Sequence, residues 1–324
     1  MKSHKLSFIL LSLITVLILT FCTEDSTNPP EEELNDITNP PGGYINEIGI
    51  NSHGDFFAAT HKGLFISTDR GSTWWSKTEL VDIGTSVTEI KITSDDYIFI
   101  SYIKSGISHI LRSSDNGNTW ISLSSTMTLI HQFEEDLYGN IYVAGDGLHK
   151  SSDKGNTWEV LYSDSHIFDV FFPDTNSIII GISFDFPGQI LYSSDRGITW
   201  DSTGYQIHVA SFYAHNSLLF AGGVSSIYGG GGIHKSTDGG MSWNPSGLSS
   251  ASTTQFILNN KNQLIIGTGY GVFYTSDLGE TWQLIIGIGS VPISFMKDEY
   301  GFLYTGTTNG SFLRSTDNGM SWHN

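Results

Sequence analysis

From about residue 43 to its end, the chain is built of short apolar runs broken by glycine, asparagine and aspartate. In one stretch the pattern predicts strands at Leu129–Phe133, Asn140–Gly145, Gly147–Ser152 and Trp158–Leu161. The same plan returns at Thr254–Leu258, Gln263–Gly267, Gly271–Ser276 and Trp282–Ile286. Runs of this length, bounded by turn residues, read as β-strands joined by tight connections. The second strand of a unit tends to end in a small residue, as at Tyr142–Gly145 and Leu219–Gly222.

The unit recurs seven times, and each copy carries a version of Ser-x-Asp-x-Gly-x-Thr-Trp. The boxes are Ser67–Trp74, Ser113–Trp120, Ser151–Trp158, Ser193–Trp200, Ser236–Trp243, Thr275–Trp282 and Ser315–Trp322. Their aspartates, Asp69, Asp115, Asp153, Asp195, Asp238, Asp277 and Asp317, are spaced by 46, 38, 42, 43, 39 and 40 residues. A fixed period of this size means one supersecondary unit repeated. The expected fold is all-β: a seven-bladed β-propeller of four-stranded antiparallel blades, with the box between third and fourth strands.

The motif resembles the Asp-box, or bacterial neuraminidase repeat, and the resemblance covers the whole repeat region. It is similar to sialidases, sortilin-type propellers, xyloglucanase propellers and the photosystem II stability/assembly factor family. That resemblance implies a box on the face opposite the binding site, so all seven aspartates read as structural. The residue types also explain themselves as a turn. The Asp carboxylate accepts backbone N–H groups one to three residues on, and Gly supplies positive φ. A calcium loop at Asp115–Asn118 is disfavoured, because a third acidic ligand and a distal glutamate are lacking.

The last box ends two residues before the C-terminus, which leaves the seventh blade short of a fourth strand. Either the blade stays three-stranded or residues before Tyr44 supply the edge, and a strand over Leu34–Thr38 is the expectation. Residues 1–21 read as a signal peptide, with a basic start and the apolar run Leu6–Phe21. Cys22, the only cysteine, follows it in Leu19-Thr20-Phe21-Cys22, which resembles a lipobox and makes Cys22 the expected lipid attachment site. Residues 22–42 form an acidic, proline-rich linker, and residues 43–324 the propeller.

Charge narrows the partners. Loss of residues 1–21, which carry two lysines and no acid, takes the formal charge from −18 to −20. Such a chain is a poor partner for nucleic acid or anionic headgroups. Membrane attachment is expected only through the lipid anchor, on the outer membrane or cell surface of a Gram-negative bacterium, or else the chain is secreted or periplasmic. A monomer is expected.

Candidate chemistry is sparse. A sialidase would need an arginine triad, and the four arginines present, Arg70, Arg112, Arg196 and Arg314, sit in or beside boxes. No cofactor or metal motif occurs. In phase, the first strands place one polar residue per blade: Glu47, Glu89, Gln132, Asp169, Ser211, Gln255 and Ser294. These read as a ring around the central channel, either a water-filled lining or a cation or catalytic site among Glu47, Glu89 and Asp169. Loops between second and third strands add His61, Lys104, Asp146, Asp185, Phe186, Tyr228 and Tyr270 on the same face. The reading is a non-catalytic exported scaffold that binds a protein or glycan through the face opposite the boxes. Its candidate ligand face comprises Glu47, Glu89, Gln132, Asp169, Tyr228 and Tyr270. The alternative is a carbohydrate-active protein, a glycan-binding module or glycoside hydrolase other than a sialidase.

Overall fold

In the computed structural model of the protein, residues 36–77, 85–123, 127–163, 165–182, 188–224, 231–249, 251–285 and 288–324 are described. They form seven antiparallel meanders, six of four strands and one of three, with neighbours in chain order. In the third blade the strands are Ile130–Glu135, Ile141–Gly145, Leu148–Ser151 and Glu159–Tyr162. In the sixth they are Thr253–Leu258, Leu264–Thr268, Gly271–Thr275 and Gln283–Ile285. The sequence-predicted boundaries fall within two residues of these. The architecture is a seven-bladed propeller.

Burial follows from blades stacking face to face. The second strands Phe56–Thr60, Ile141–Gly145, Ile178–Ile182, Leu264–Thr268 and Leu303–Thr307 are buried at every position. Covered on both faces, they read as continuous apolar runs. The outermost strands, such as Trp75–Ser76 and Glu159–Tyr162, are largely exposed. Seven apolar clusters fill the seven junctions between blades; Phe57, Leu64, Val87, Ile90 and Ile98, for example, join blades 1 and 2. The small residue late in the second strand is set by the taper toward the axis. A Cβ on Gly181 would come within 2.5 Å of Val209, and one on Gly306 within 2.4 Å of Ile45, both in the next blade's first strand.

The box is a self-contained hydrogen-bonded turn, repeated with nearly constant geometry. In the first copy Ser67 Oγ donates to Asp69 Oδ1 (2.8 Å) and accepts Gly71 N–H (2.7 Å). Asp69 then accepts Thr73 N–H (2.8 Å) and the Thr73 hydroxyl (2.5 Å). The aspartate therefore reaches four residues on, not the one to three expected from turn chemistry, because the turn holds two consecutive residues of positive φ. The residue before the box glycine has φ of 58–65° in six copies, at Arg70, Asn116, Lys154, Arg196, Leu278 and Asn318. Hydrogen bonds to the Thr157 backbone and hydroxyl and to the Ser151 hydroxyl hold Asp153 down to about 2. The Thr281 hydroxyl and N–H do the same for Asp277.

Four of those left-handed residues reach the preceding blade with their side chains and latch it. Arg70 lies over the Tyr300 ring (3.9 Å) and donates to Glu299 (2.9 Å). Asn116 meets Asp55 (2.5 Å) and Asn51 (2.6 Å), Lys154 meets Asp95 (2.9 Å), and Arg196 lies over Tyr138 (4.4 Å). These partners sit in the turns between first and second strands, so those turns and the boxes share one face.

Ring closure corrects the expectation of a strand over Leu34–Thr38. Residues 36–42 form no strand, and Leu34 lies outside the described residues. The seventh blade keeps three strands, Pro292–Lys297, Leu303–Thr307 and Phe312–Ser315, with one bridge from Arg314 to His323 at its edge. Residues 37–39 nonetheless occupy the place of the missing strand. Trp200 Nε1 donates to Leu161 O (3.3 Å) and Trp282 Nε1 to Ser246 O (3.0 Å), each in the fourth strand of the blade before. Trp74 Nε1 makes the corresponding bond to Thr38 O (2.9 Å). Thr38 N–H donates to Gly71 O (2.7 Å), and Asn39 Oδ1 accepts Phe312 N–H (2.8 Å). Ile37 is buried with Phe56, Phe65, Tyr304 and Phe312 in the closing cluster. Pro40 and Pro41 forbid a regular pairing edge here, so the segment crosses the seam instead of extending the sheet.

Two stability changes are expected. Ser67→Ala strands the buried Gly71 N–H and should cost about 1–3 kcal/mol. Ile37→Ala opens a cavity in the seam and should cost about 2–5 kcal/mol. Urea unfolding reads both as a lower midpoint at unchanged slope. A wild-type midpoint for Ile37→Ala would mean that residues 37–39 do not close the ring.

Candidate functional site

The channel is lined by the first strands, and one device repeats around it. Each strand is bulged near its start, with register shifts such as Ile45/Glu47, Val87/Glu89, Ile167/Asp169 and Val209/Ser211. A bulge inserts an extra residue and re-aims the side chains beside it. The ring residue is in every case the third of its strand, which fixes all seven at one level. Opposite it in the second strand stands a small residue: Ala59 for Glu47, Ser101 for Glu89, Gly181 for Asp169 and Gly306 for Ser294.

The innermost strand of a blade has no further strand to pair with, so its inner-edge N–H groups need other acceptors. Ring side chains supply them across four junctions. Gln132 Oε1 accepts Val170 N–H (3.0 Å), Asp169 Oδ2 accepts Phe212 N–H, Gln255 Oε1 accepts Phe295 N–H (2.5 Å), and Ser294 Oγ accepts Ile48 N–H (3.1 Å). Ser294 Oγ also donates to Glu47 Oε1 (2.7 Å). The ring is thus partly a set of stitches between blades, a structural duty that the strand pattern does not reveal.

Of the three carboxyls in this ring Asp169 is buried, and Glu47 and Glu89 are half-buried. Burial pushes Asp169 up to about 8, opposed by the Phe212 N–H and aided by the charge of Glu134. Burial raises Glu47 to about 7, opposed by the Ser294 hydroxyl and the charge of Lys91. Glu89 stands well above the usual carboxylate range, through burial first and then repulsion from Glu47 and Asp169. Toward the box face, Lys91 Nζ pairs with Glu134 Oε1 at 2.5 Å. That pair was not singled out from the sequence, although each partner lies two residues beyond a ring position and so on the same strand face. Gln132, Asp169 and Gln255 also line a cavity of about 400 Å³ with Phe171, Phe212 and Tyr213.

The other candidates scatter. Tyr270 is 74% exposed and borders a groove of about 420 Å³ with Leu284, Ile285, Ile288 and Val291, opposite the box face. His61 stacks on Tyr44 (4.5 Å), Lys104 is exposed, and Asp146 accepts Thr128 N–H (2.8 Å) and hydroxyl (2.7 Å). His131, in the bulge beside Gln132, stacks on Phe168 (4.0 Å), a contact between blades that sequence phase alone does not show. Cys22, Asp185, Phe186 and Tyr228 lie outside the described residues. All four arginines attach to the box side: Arg70 and Arg196 as latches, Arg112 on Lys154 O, and Arg314 beside His323 at the outer edge of blade 7. Among the described residues no three His, Cys, Asp or Glu side chains converge closely enough to ligate one metal ion.

No protein-family model matches the chain, and no curated protein matches it. Its fold is similar to that of YCF48 bound to D1 peptide, at 14% identity over 86% of this chain and 95% of that one, with a TM-score of 0.68. The extracellular domain of BT4673 from B. thetaiotaomicron is similar at 12% identity, 87% and 39% coverage, and a TM-score of 0.71. An ancestral GH74 enzyme is similar at 14% identity, 86% and 48% coverage, and a TM-score of 0.58. At these identities the likeness establishes the propeller fold.

The ring carboxyls set a pH dependence of stability. Raised carboxyl values mean that the folded chain holds protons the unfolded chain has released. Their contribution is fully present below about pH 4 and is lost as pH rises through about 7–8. The box aspartates act in the opposite sense, losing their contribution as pH falls from about 4 toward 2. The melting temperature should therefore peak in mildly acid solution and fall on the alkaline side, and Glu89→Gln should flatten that alkaline fall. Calorimetry at matched ionic strength measures both.

Proposed function

We propose that the chain is an exported Asp-box propeller that binds a protein segment and does not catalyse. The observation that carries this reading is the employment of the ring. Asp169 and Glu47, two of the three carboxyls a hydrolytic mechanism would draw on, accept hydrogen bonds that join blades. A glycosidase pair must instead flank an open substrate cleft. The arginines needed to clamp a sialic acid carboxylate are committed to the box side.

The ligand face is the one opposite the boxes, with Tyr270 and the apolar groove beside it as the contact. A tyrosine on a rigid turn, next to Leu284, Ile288 and Val291, gives contact area at low entropic cost, as binding loops do. The peptide complex of the similar YCF48 propeller supports a polypeptide ligand. Export and anchoring rest on the leader-like residues 1–21 and on Cys22, with residues 23–35 as an acidic tether. A carbohydrate ligand is the second reading, favoured by the exposed Tyr270 ring between Gly269 and Gly271 and by the likeness to a GH74 enzyme.

Site-specific photo-crosslinking in the native host distinguishes the faces. A crosslinker at position 270 should give a discrete protein adduct, and one at the exposed box position 198 should not. Adducts from 198 alone would reverse the assignment, and glycan-array binding lost in Tyr270→Ala would favour carbohydrate. Labelling with a palmitate analogue should occur in the wild type and vanish in Cys22→Ala.

A further inference from the structure

The segment that closes the ring also fixes where the preceding chain leaves the propeller. Gly42 and Gly43 lie toward the face opposite the boxes. A Cβ on Gly42 would strike the Thr60 side chain, and one on Gly310 would strike the Gly43 backbone. Thr60 ends the second strand of blade 1, and Gly310 stands in the turn between second and third strands of blade 7. Asn39 then meets Phe312 N–H, and Thr38 is held at the first box. Its N–H donates to Gly71 O (2.7 Å) and its hydroxyl to Ser72 O (2.9 Å). Traced toward the N-terminus, the chain therefore crosses the seam and leaves on the box face at Asp36. Cys22 lies fourteen residues earlier, within about 45–50 Å of extended chain.

The same face carries an apolar arc. Leu137 of blade 3 and Ile198 of blade 4 are 82% and 81% exposed, and Tyr138 of blade 3 and Met241 of blade 5 are exposed too. The equivalents of Ile198 in blades 1, 2, 3 and 6 are polar: Ser72, Asn118, Asn156 and Glu280. Large apolar side chains gathered on one arc and left in water mark a contact surface. Their turns are fixed in advance. Asp136 accepts Tyr138 N–H (2.9 Å) and Asn140 N–H (2.9 Å) around Leu137. Asp195 accepts Thr199 N–H (2.8 Å) and Ser193 Oγ accepts Gly197 N–H (2.8 Å) around Ile198. Side chains presented on ordered turns lose little entropy on contact. Arg196 lies over the Tyr138 ring (4.4 Å), and a tyrosine beside a guanidinium suits the headgroup level of a bilayer.

We propose that Leu137, Tyr138, Ile198 and Met241 rest on the bilayer that holds the chain's own anchor, so that the boxes face the membrane and Tyr270 faces away. This deepens the binding reading and rests on its anchor at Cys22. A lipid surface is the occupant because the chain leaves toward the anchor from the face that bears the arc. The formal charge of −18 disfavours anionic headgroups, so the surface is a neutral one. Four side chains supply only weak affinity. A short tether raises the effective concentration of its target to about millimolar, where weak contacts are populated.

The experiment couples residues 22–324, which include every described residue, through the single thiol of Cys22 to a maleimide-headgroup lipid in phosphatidylcholine vesicles. A photo-crosslinker is placed at position 198, 241 or 270, and lipid adducts are read by mass spectrometry. Adducts from 198 and 241 should exceed those from 270 by about tenfold or more. Leu137→Asn combined with Ile198→Asn should cut the adduct from 241 by about tenfold. Val160→Asn, on the exposed outer strand of blade 3, should leave it unchanged. A yield from 198 no greater than from 270, adducts between two copies at 198 in place of lipid, or a 241 adduct undiminished in the double variant would overturn the proposal. If the double variant fails to fold, the ratio of 198 to 270 adducts in the otherwise unaltered chain decides alone. Chemical coupling makes the test independent of lipidation in the host. Lipid adducts at 198 in a chain whose Cys22 takes no palmitate label would uphold the box-face contact and sink the anchor, and a labelled chain without such adducts would do the reverse.

Discussion

The structure depends on a hydroxyl that donates a hydrogen bond to a carboxylate two residues later. In each box that pair lets the chain take two successive left-handed residues, the first of which is not a glycine in six copies. Positive φ is unfavourable for most side chains, and here the Ser or Thr oxygen offsets it by accepting the N–H of the following glycine. The result is a rigid corner that projects one variable side chain over the neighbouring blade. Blade packing is then fastened twice, by an apolar cluster within and by a latch on the rim. The latches differ in chemistry, cation–π for Arg70 and amide to carboxylate for Asn116, while their geometry stays the same.

Much of this was legible in the sequence because the box is local. Its residues lie within eight positions, so spacing reports the turn, and seven turns report the blade number. The ring was legible for a related reason: seven first strands in phase must bring their third residues to one level. The duties of the ring were hidden, because a glutamine facing a channel and a glutamine accepting Val170 N–H look alike in sequence. The seam was hidden too. Ile37 and Thr38 resemble the end of a disordered tether until Phe312 and Trp74 are placed beside them, 273 and 36 residues away for the hydrogen bonds of Asn39 and Thr38.

The channel holds two kinds of polar group with opposite consequences. Those that accept backbone N–H groups stabilise the ring and are poor candidates for chemistry. Glu47, Glu89 and Ser211 accept no N–H from the next blade, and they lie on blades 1, 2 and 5. A propeller of seven blades has no symmetry that would place its exceptions evenly. The stitches are missing at three of the seven junctions, 1 to 2, 2 to 3 and 5 to 6, and the apolar clusters hold those junctions without them.

Closing the ring with residues 37–39 also has a mechanical consequence. Thr38 is held by Gly71 and Trp74, and Asn39 by Phe312, so tension applied through residues before Asp36 reaches the seam before any other junction. The load falls on a few transverse hydrogen bonds and on one isoleucine, while the remaining six junctions stay unloaded. A pull from the N-terminal side of Asp36 would peel the segment bond by bond and uncover the outer edge of Phe312–Ser315, which among the described residues has a single bridge beyond it. The segment that completes the circle is thus also the part that a pull from its N-terminal side loads first.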